Sequence, residues 1–148
     1  MAILIRDPVA GDETAWRRLW AGYCEFYQSV VPADVTDATW RRLLDPKSPI
    51  VGRVAELDGA VVGFTHCVMH EGTWAIHPIG YLEDLYVDPG VRGHGVGRLL
   101  LQDLVDRGRQ GGWEYLYWHT QAGNATARRL YDTFTLADDF VKYRVRLR

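Results

Sequence analysis

No stretch of the chain approaches the roughly 20 consecutive apolar residues that a membrane-crossing helix requires. The opening "MAILIRDPVAGDE" has too short an apolar run, wrongly flanked, for a secretory leader. Cysteine is scarce. Cys24 and Cys67 form no CxxC pair and give no sign of an oxidising compartment, so a cytoplasmic setting is expected. Excess charge is also missing: 17 Lys and Arg stand against 19 Asp and Glu, a net of −2. Without a broad basic field, nucleic acid is not an expected partner, and neither is a membrane. There is no internal repeat, low-complexity tract or linker, so residues 1–148 read as one domain, large enough for a real core. What the chain has in quantity is aromatic side chains, with six Trp and eight Tyr in a composition that is 47% hydrophobic. Packing accounts for most of them, leaving a few to line a pocket.

The pattern of apolar residues changes period along the chain. "AILIR" at residues 2–6 reads as a first strand. Asp12 can cap a helix on which Trp16, Leu19, Trp20, Tyr23 and Tyr27 recur at three- and four-residue spacing, one apolar stripe. Thr36 or Asp37 can cap a second helix running to Leu44 and closed by Asp45-Pro46. "IVGRVAEL" at 50–57 and "AVVGFTHCVMH" at 60–70 are strands around Asp58-Gly59, a two-residue hairpin signal. A loop is expected around "EGTWAIHPIG", then a strand at "YLEDLYV", residues 81–87. Val96, Leu99, Leu100, Leu104 and Val105 mark a helix to about Gln110, stopped by Gly111-Gly112. "YLYWHT" at 115–120 is a further strand, Asn124 can cap a helix burying Ala127, Leu130, Tyr131 and Phe134, and "FVKYRVRL" at 140–147 reads as a last strand. Hairpins followed by β-α-β-α-β give an α/β class with a mixed sheet.

Between the strand at 81–87 and the helix at 96 lies "VRGHGVG". The first turn of a helix carries amide N–H groups with no internal partner, which with the helix dipole form an anion site. Glycines let backbone approach a phosphate closely, and Arg92 adds a guanidinium fork suited to phosphate oxygens. A plain glycine-rich connection would look similar. Two phosphate loops are excluded by spacing. A Walker A loop ends in Gly-Lys-Ser/Thr, whereas Gly97 is followed by Arg98 and Leu99; a dinucleotide fingerprint is GxGxxG, one residue longer than Gly93, Gly95, Gly97.

The pattern R-x-x-G-x-G, here Arg92-Gly93-His94-Gly95-Val96-Gly97, resembles the acetyl-CoA pyrophosphate loop of the GNAT superfamily of N-acetyltransferases. "YLEDLYVDPGVRGHGVGRLLL" resembles that family's central strand, loop and helix, and "HTQAGNATARRLYDTF" its following segment. There an Asn begins a helix and a Tyr follows seven residues later, here Asn124 and Tyr131. The wording "LEDLYV" is particularly similar to the polyamine and diamine acetyltransferases and to small relatives that acetylate free amines. The clear match covers about residues 81–134. The resemblance implies a GNAT-like, mostly antiparallel mixed sheet of six to seven strands with about four helices. Two departures stand out. "FTLADDF" lacks the family's usual Leu-Gly-Phe, so the turn into the last strand should differ, and Gly108 sits late in the long helix, where alanine is the better helix former.

The resemblance implies an enzyme that moves an acetyl group from acetyl-CoA, a cosubstrate, to a primary amine, without a metal. Such a reaction needs a neutral amine, although a free alkylamine has a pKa of about 10. It also needs donors for the oxyanion and a proton for the departing thiolate. On the resemblance, Tyr131 is the general acid near the sulfur. Two helical turns separate it from Asn124, so they share a face; Tyr131 also lies on the apolar stripe of its helix, as a core residue would. Strand alternation puts Glu83 and Asp84 on opposite faces. Glu83 is preferred as base, directly or through a water, with Asp84 the alternative, because a local bulge would reverse the parity. Backbone groups of Leu85, Tyr86 and Val87 are expected to pair with the pantetheine arm, and amides from Arg92 through Arg98 to hold the pyrophosphate. Asn124 either caps its helix, meets the pantetheine, or both. Arg128 meets the 3′-phosphate of CoA or lies on a solvated helix face.

Glu25, Tyr27, Trp74 and Tyr81, with Glu71, are candidates for an acidic, aromatic acceptor pocket for a cationic amine. His66 and His70 would lie about 13 Å apart along a strand, too far for one ion. His94 in the loop faces either the cofactor or water, and His119 ends a strand in a structural role. The acceptor is expected to be a small metabolite such as a polyamine or amino acid. Acetylation of protein lysines or N-termini is the related alternative, and a non-catalytic acyl-CoA sensor is the alternative from another class. The segment "FVKYRVRLR" could add a strand across an edge, which would make a homodimer.

Overall fold

The computed structural model describes residues 2–148. Its strands follow the period-2 segments: β1 (Ile3–Arg6), β2 (Ile50–Leu57), β3 (Ala60–Gly72), β4 (Ala75–Val87) and β5 (Leu116–Trp118). Its helices follow the period-3.6 segments: α1 (Glu13–Phe26), α2 (Ala33–Leu44), α3 (Val96–Gly111) and α4 (Ala125–Tyr131). The strands form one sheet in the order β1-β2-β3-β4-β5, antiparallel throughout except for the parallel β4–β5 pair. The turn between β2 and β3 has positive φ at both Asp58 and Gly59, the backbone that an Asp-Gly hairpin supplies.

Alternation along the strands sends neighbouring residues into two cores. Val54 points into the layer under α1 and α2, where Trp16, Leu19, Trp40 and Leu43 meet Phe64 and Tyr86. Ala55 points the other way, toward Val96 and Leu100 of α3. Leu101 and Leu104 extend that second layer onto Cys67 and Leu82, with Tyr131 and Phe134 packed at its rim. A buried guanidinium ties α3 to the sheet: Arg53 donates from Nε and Nη2 to the two carboxylate oxygens of Asp103, both at 2.9 Å. Gly108, an odd choice in a helix, lies under the Trp113 ring, which a Cβ there would approach to 3.0 Å.

Four features differ from the expectation. Helix α2 begins at Ala33, with Thr36 and Asp37 inside it rather than capping it, because Pro32, whose ring fixes φ, starts the helix there. The segment "EGTWAIHPIG" is not a loop, because β3 and β4 pair as far as Gly72 and Ala75. Pro78, which cannot donate to a ladder, falls where the register is irregular between His70 and Gly72. β5 is shorter than 115–120. The sheet has five strands rather than six to seven, because residues 140–147, although patterned as a strand, pair with nothing among the described residues. Alternation selects which side of a strand is apolar; it does not supply the partner edge.

Candidate active site

β4 carries one residue more than its partner at the middle of the sheet. His66 lies opposite Asp84, whereas the next residue, Cys67, lies opposite Leu82, leaving Glu83 as a bulge. The bulge resets the alternation, so that Leu82 and Leu85 both face α3 while Asp84 and Tyr86 face α1. β5 pairs with β4 only through Gly80, Tyr81 and Leu82. From Glu83 onward the two strands part. Asp88 N–H bonds back to the Val62 carbonyl at 2.8 Å, so the N–H and C=O of Val87, and by alternation those of Leu85, point into the opening.

Asp84 is held from beneath. Trp16 Nε1–H donates to His66 Nε2 at 3.0 Å, and the other ring nitrogen, Nδ1, lies 2.9 Å from Asp84 Oδ2. An Nε2 that accepts carries no proton, so these partners assign the neutral Nδ1–H tautomer, which donates to Asp84. The imidazole is buried and stacks on Phe64 at 4.5 Å. Sequence reasoning weighed His66 only as a metal ligand and missed this role; the signal was its position opposite Asp84 across a hairpin. Trp16→Phe keeps the ring bulk and deletes the donor, leaving a buried acceptor unsatisfied. Stability should fall by about 1–3 kcal/mol, and nitrogen-15 spectra should show His66 as a mixture of tautomers. A single unchanged tautomer would show that Trp16 does not set it.

Tyrosines surround the two carboxylates. Burial raises the Tyr23, Tyr27 and Tyr81 hydroxyls above the ordinary phenol range, and the charge of Asp84 adds to all three. The Glu83 carboxyl is raised as well, first by burial and then by neighbouring Asp84, against lowering contributions from His66 and Lys142. No side-chain hydrogen bond or ion pair engages Glu83 among the described residues. Tyr131 is pushed up to about 12, by burial and then by Tyr27, so α1 and α4 converge on one place. Its ring lies 5.4 Å from that of Trp118 at the end of β5.

The glycine segment closes the far end of the opening. Gly93 and Gly95 both have positive φ, and no atom of the chain lies within 4 Å of where their Cβ atoms would be, so backbone conformation and not crowding calls for glycine there. The first intrahelical bond of α3 runs from Leu99 N–H to the Gly95 carbonyl, which leaves the amides of Val96, Gly97 and Arg98 facing outward. Arg92 donates from Nε to the Val87 carbonyl at 3.1 Å and lies over the Tyr86 ring. Arg98 reaches Thr133 across the α3–α4 junction, and Arg128 reaches the Ala122 carbonyl, so both side chains have partners within the chain. Asn124 accepts from Ala127 N–H and caps α4. His94 is exposed in the loop.

The acceptor-pocket candidates are not all brought together. Tyr27 ends α1 against Tyr23, and Tyr81 stacks on Tyr117 at 4.9 Å with His119 at its edge. Glu25 is exposed on α1. Trp74 lies in the β3–β4 turn and is 100% exposed. His70 bonds Tyr117 through Nε2.

Residues 15–134 match the acetyltransferase (GNAT) family. The chain belongs to that family. As a GNAT acetyltransferase it is 34% identical over 144 residues to the D-amino-acid N-acetyltransferase HPA3 of Saccharomyces cerevisiae, covering 96% of this chain and 89% of the relative. It is 30% identical over 141 residues to the uncharacterized N-acetyltransferase YhfO of Bacillus subtilis, covering 94% of each. The structure of ribosomal-protein-alanine N-acetyltransferase from Brucella melitensis superposes with a TM-score of 0.82 at 23% identity, over 99% of this chain and 100% of that one. The GNAT fold thus accounts for the parted strands and the loop between β4 and α3. Family members use acetyl-CoA as cosubstrate. The outward amides at α3, the glycine backbone, the unpaired groups of Leu85 and the Val87 N–H fit a phosphate-bearing, amide-bearing ligand of that kind. No helix among the described residues is long and apolar enough to cross a membrane.

Proposed function

We propose that this chain acetylates the amino group of a small metabolite, an amino acid foremost, with acetyl-CoA as the donor. The observation that carries the reading is the meeting of three chemistries at the β4–β5 opening. Glu83, a carboxyl with a raised pKa, follows the last β4–β5 pair; Tyr131, a protonated and half-buried phenol, packs on Trp118 at the end of β5; and the backbone of Leu85 lies beyond the reach of β5. Bound acetyl-CoA supplies a thioester carbonyl for the amine to attack. Outward amides from Val96 to Arg98, with the backbone of Gly93 through Gly95 and the free end of the Arg92 guanidinium, hold the pyrophosphate. Leu85, Tyr86 and Val87 present strand backbone to the pantetheine arm, and an N–H in this stretch stabilises the oxyanion. Glu83 takes the proton from the acceptor ammonium, directly or through a water. Asp84, fixed by His66, holds the negative field that draws a cation in and keeps Glu83 basic. Tyr131 O–H delivers a proton to the departing sulfur.

One detail favours an amino acid over a polyamine: the relative HPA3 is named for D-amino acids. The test is thiol release from acetyl-CoA against D- and L-amino acids, polyamines, aminoglycosides and lysine peptides, with the acceptor-free rate subtracted. At least a tenfold preference for an amino acid over the peptides is expected. A preference for polyamines would overturn the acceptor assignment alone; acetyl-CoA binding with a flat response would overturn the enzyme reading in favour of a sensor.

A further inference from the structure

Leu82 packs against Leu101 and Leu104 of α3, so Tyr81, one residue earlier on β4, stands on the opposite face of the sheet, the face toward α1. Its partner in the parallel pair is Tyr117. Leu116 and Trp118 pack on the α3 side, so Tyr117 and the following His119 share the face with Tyr81. The two phenol rings stack at 4.9 Å, 24° apart, and His119 stands edge-on to both, at 5.5 Å from Tyr81 and 6.0 Å from Tyr117. His70 of β3 meets Tyr117 edge-on at 5.7 Å. Polar contacts fix the rings: His70 Nε2 lies 2.9 Å from the Tyr117 hydroxyl, and His119 Nδ1 lies 3.4 Å from the Tyr81 hydroxyl. With their oxygens engaged, the phenols offer ring carbon. Neither ring belongs to the two cores of the sheet, and both are only half-buried.

We propose, building on the amino-acid reading of the acceptor, that Tyr81 and Tyr117, held by His119 and His70, form the subsite for the acceptor's side chain and select an amino acid whose side chain is aromatic. The rings stand beside the reacting groups: burial first, and then the charges of Glu83 and Asp84, raise the Tyr81 hydroxyl. They also stand on the side from which the amine arrives. The glycine loop opens α3, so the cofactor lies toward that helix, and the acceptor meets the thioester from the α1 face. With its amino group at Glu83, an amino acid has its side chain and its carboxylate left to place. A strand advances about 3.3 Å per residue, so Tyr81 follows Glu83 at about 7 Å along β4, a span that a benzyl or indolylmethyl group bridges and a methyl group does not. Rings held at fixed angles receive a further ring edge-on or offset. A second ammonium is served less well, because imidazoles flank the phenols and no Asp or Glu side chain bonds to these four residues among the described residues.

The experiment measures kcat and KM separately for both enantiomers of phenylalanine, tryptophan, alanine and lysine, on the full chain and on Tyr117→Ala and Tyr117→Phe. In wild type, the better aromatic acceptor should exceed alanine and lysine in kcat/KM by about tenfold or more, and the difference should lie mainly in KM. Tyr117→Ala should bring the phenylalanine-to-alanine ratio down toward one. Tyr117→Phe keeps the ring and drops only the contact to His70, so it should keep the ratio. Should circular dichroism show Tyr117→Ala unfolded, Tyr81→Leu carries the same expectation. Alanine or lysine used as well as the aromatic acceptors, or a ratio that survives loss of the ring, overturns the subsite and leaves the amino-acid reading standing. Transfer to no amino acid overturns both.

Discussion

Tyr131→Phe should lower kcat by about 10²–10⁴-fold, equivalent to about 3–5 kcal/mol of barrier, while leaving the fold intact. The magnitude follows from what the oxygen does. Burial, and then Tyr27, push the hydroxyl up to about 12, so at neutral pH it is fully protonated and available to a sulfur that leaves as thiolate. Phenylalanine keeps the ring on Trp118 and in the cluster with Leu101 and Leu104, so the midpoint of thermal unfolding should hardly move. Because the lost contact is made mainly to the transition state, KM for acetyl-CoA should stay within a fewfold. Steady-state kinetics with the preferred acceptor reads both. An unchanged kcat would assign Tyr131 to packing alone, which its place on the apolar side of α4 would equally explain.

Glu83→Gln should cost about 10²-fold or more in kcat/KM and should also change the shape of the pH profile. Burial and the Asp84 charge raise the Glu83 carboxyl above the ordinary glutamate range. For wild type, kcat/KM should therefore climb with pH through an apparent pKa above that range, and Glu83→Gln should abolish this limb. A second limb, set by the amine near pH 10, should remain in both. Stability gives an independent sign. A carboxyl whose folded pKa is raised contributes stability that is present below its unfolded pKa and lost as pH rises through the folded value. At neutral pH Glu83 is thus a destabilising charge, and Glu83→Gln should raise the unfolding midpoint there but not at pH 3. Retention of the acidic limb in the variant would transfer the base role to Asp84.

Local chemistry alone determined a large share of this protein. The hairpin at Asp58-Gly59 follows from two residues that accept positive φ, and three of the helices follow from stripes anchored by Trp16, Leu100 and Leu130, whereas α2 begins at Ala33, ahead of the Thr36 or Asp37 cap its sequence offered. The glycine loop, with Arg92 before it and a helix after it, was legible because helix starts and bare backbone have fixed properties wherever they occur. Three matters were decided only by tertiary structure. The facing of Glu83 and Asp84 depends on one extra residue in β4, and a bulge exists only relative to a partner strand, here where His66 meets Asp84. The Trp16–His66–Asp84 chain joins residues up to 68 positions apart, and no spacing rule relates a helix to the two strands beneath it. Residues 140–147 have the alternation of a strand and are not one, because a helix bonds within its own segment whereas a strand must find its hydrogen bonds on another edge.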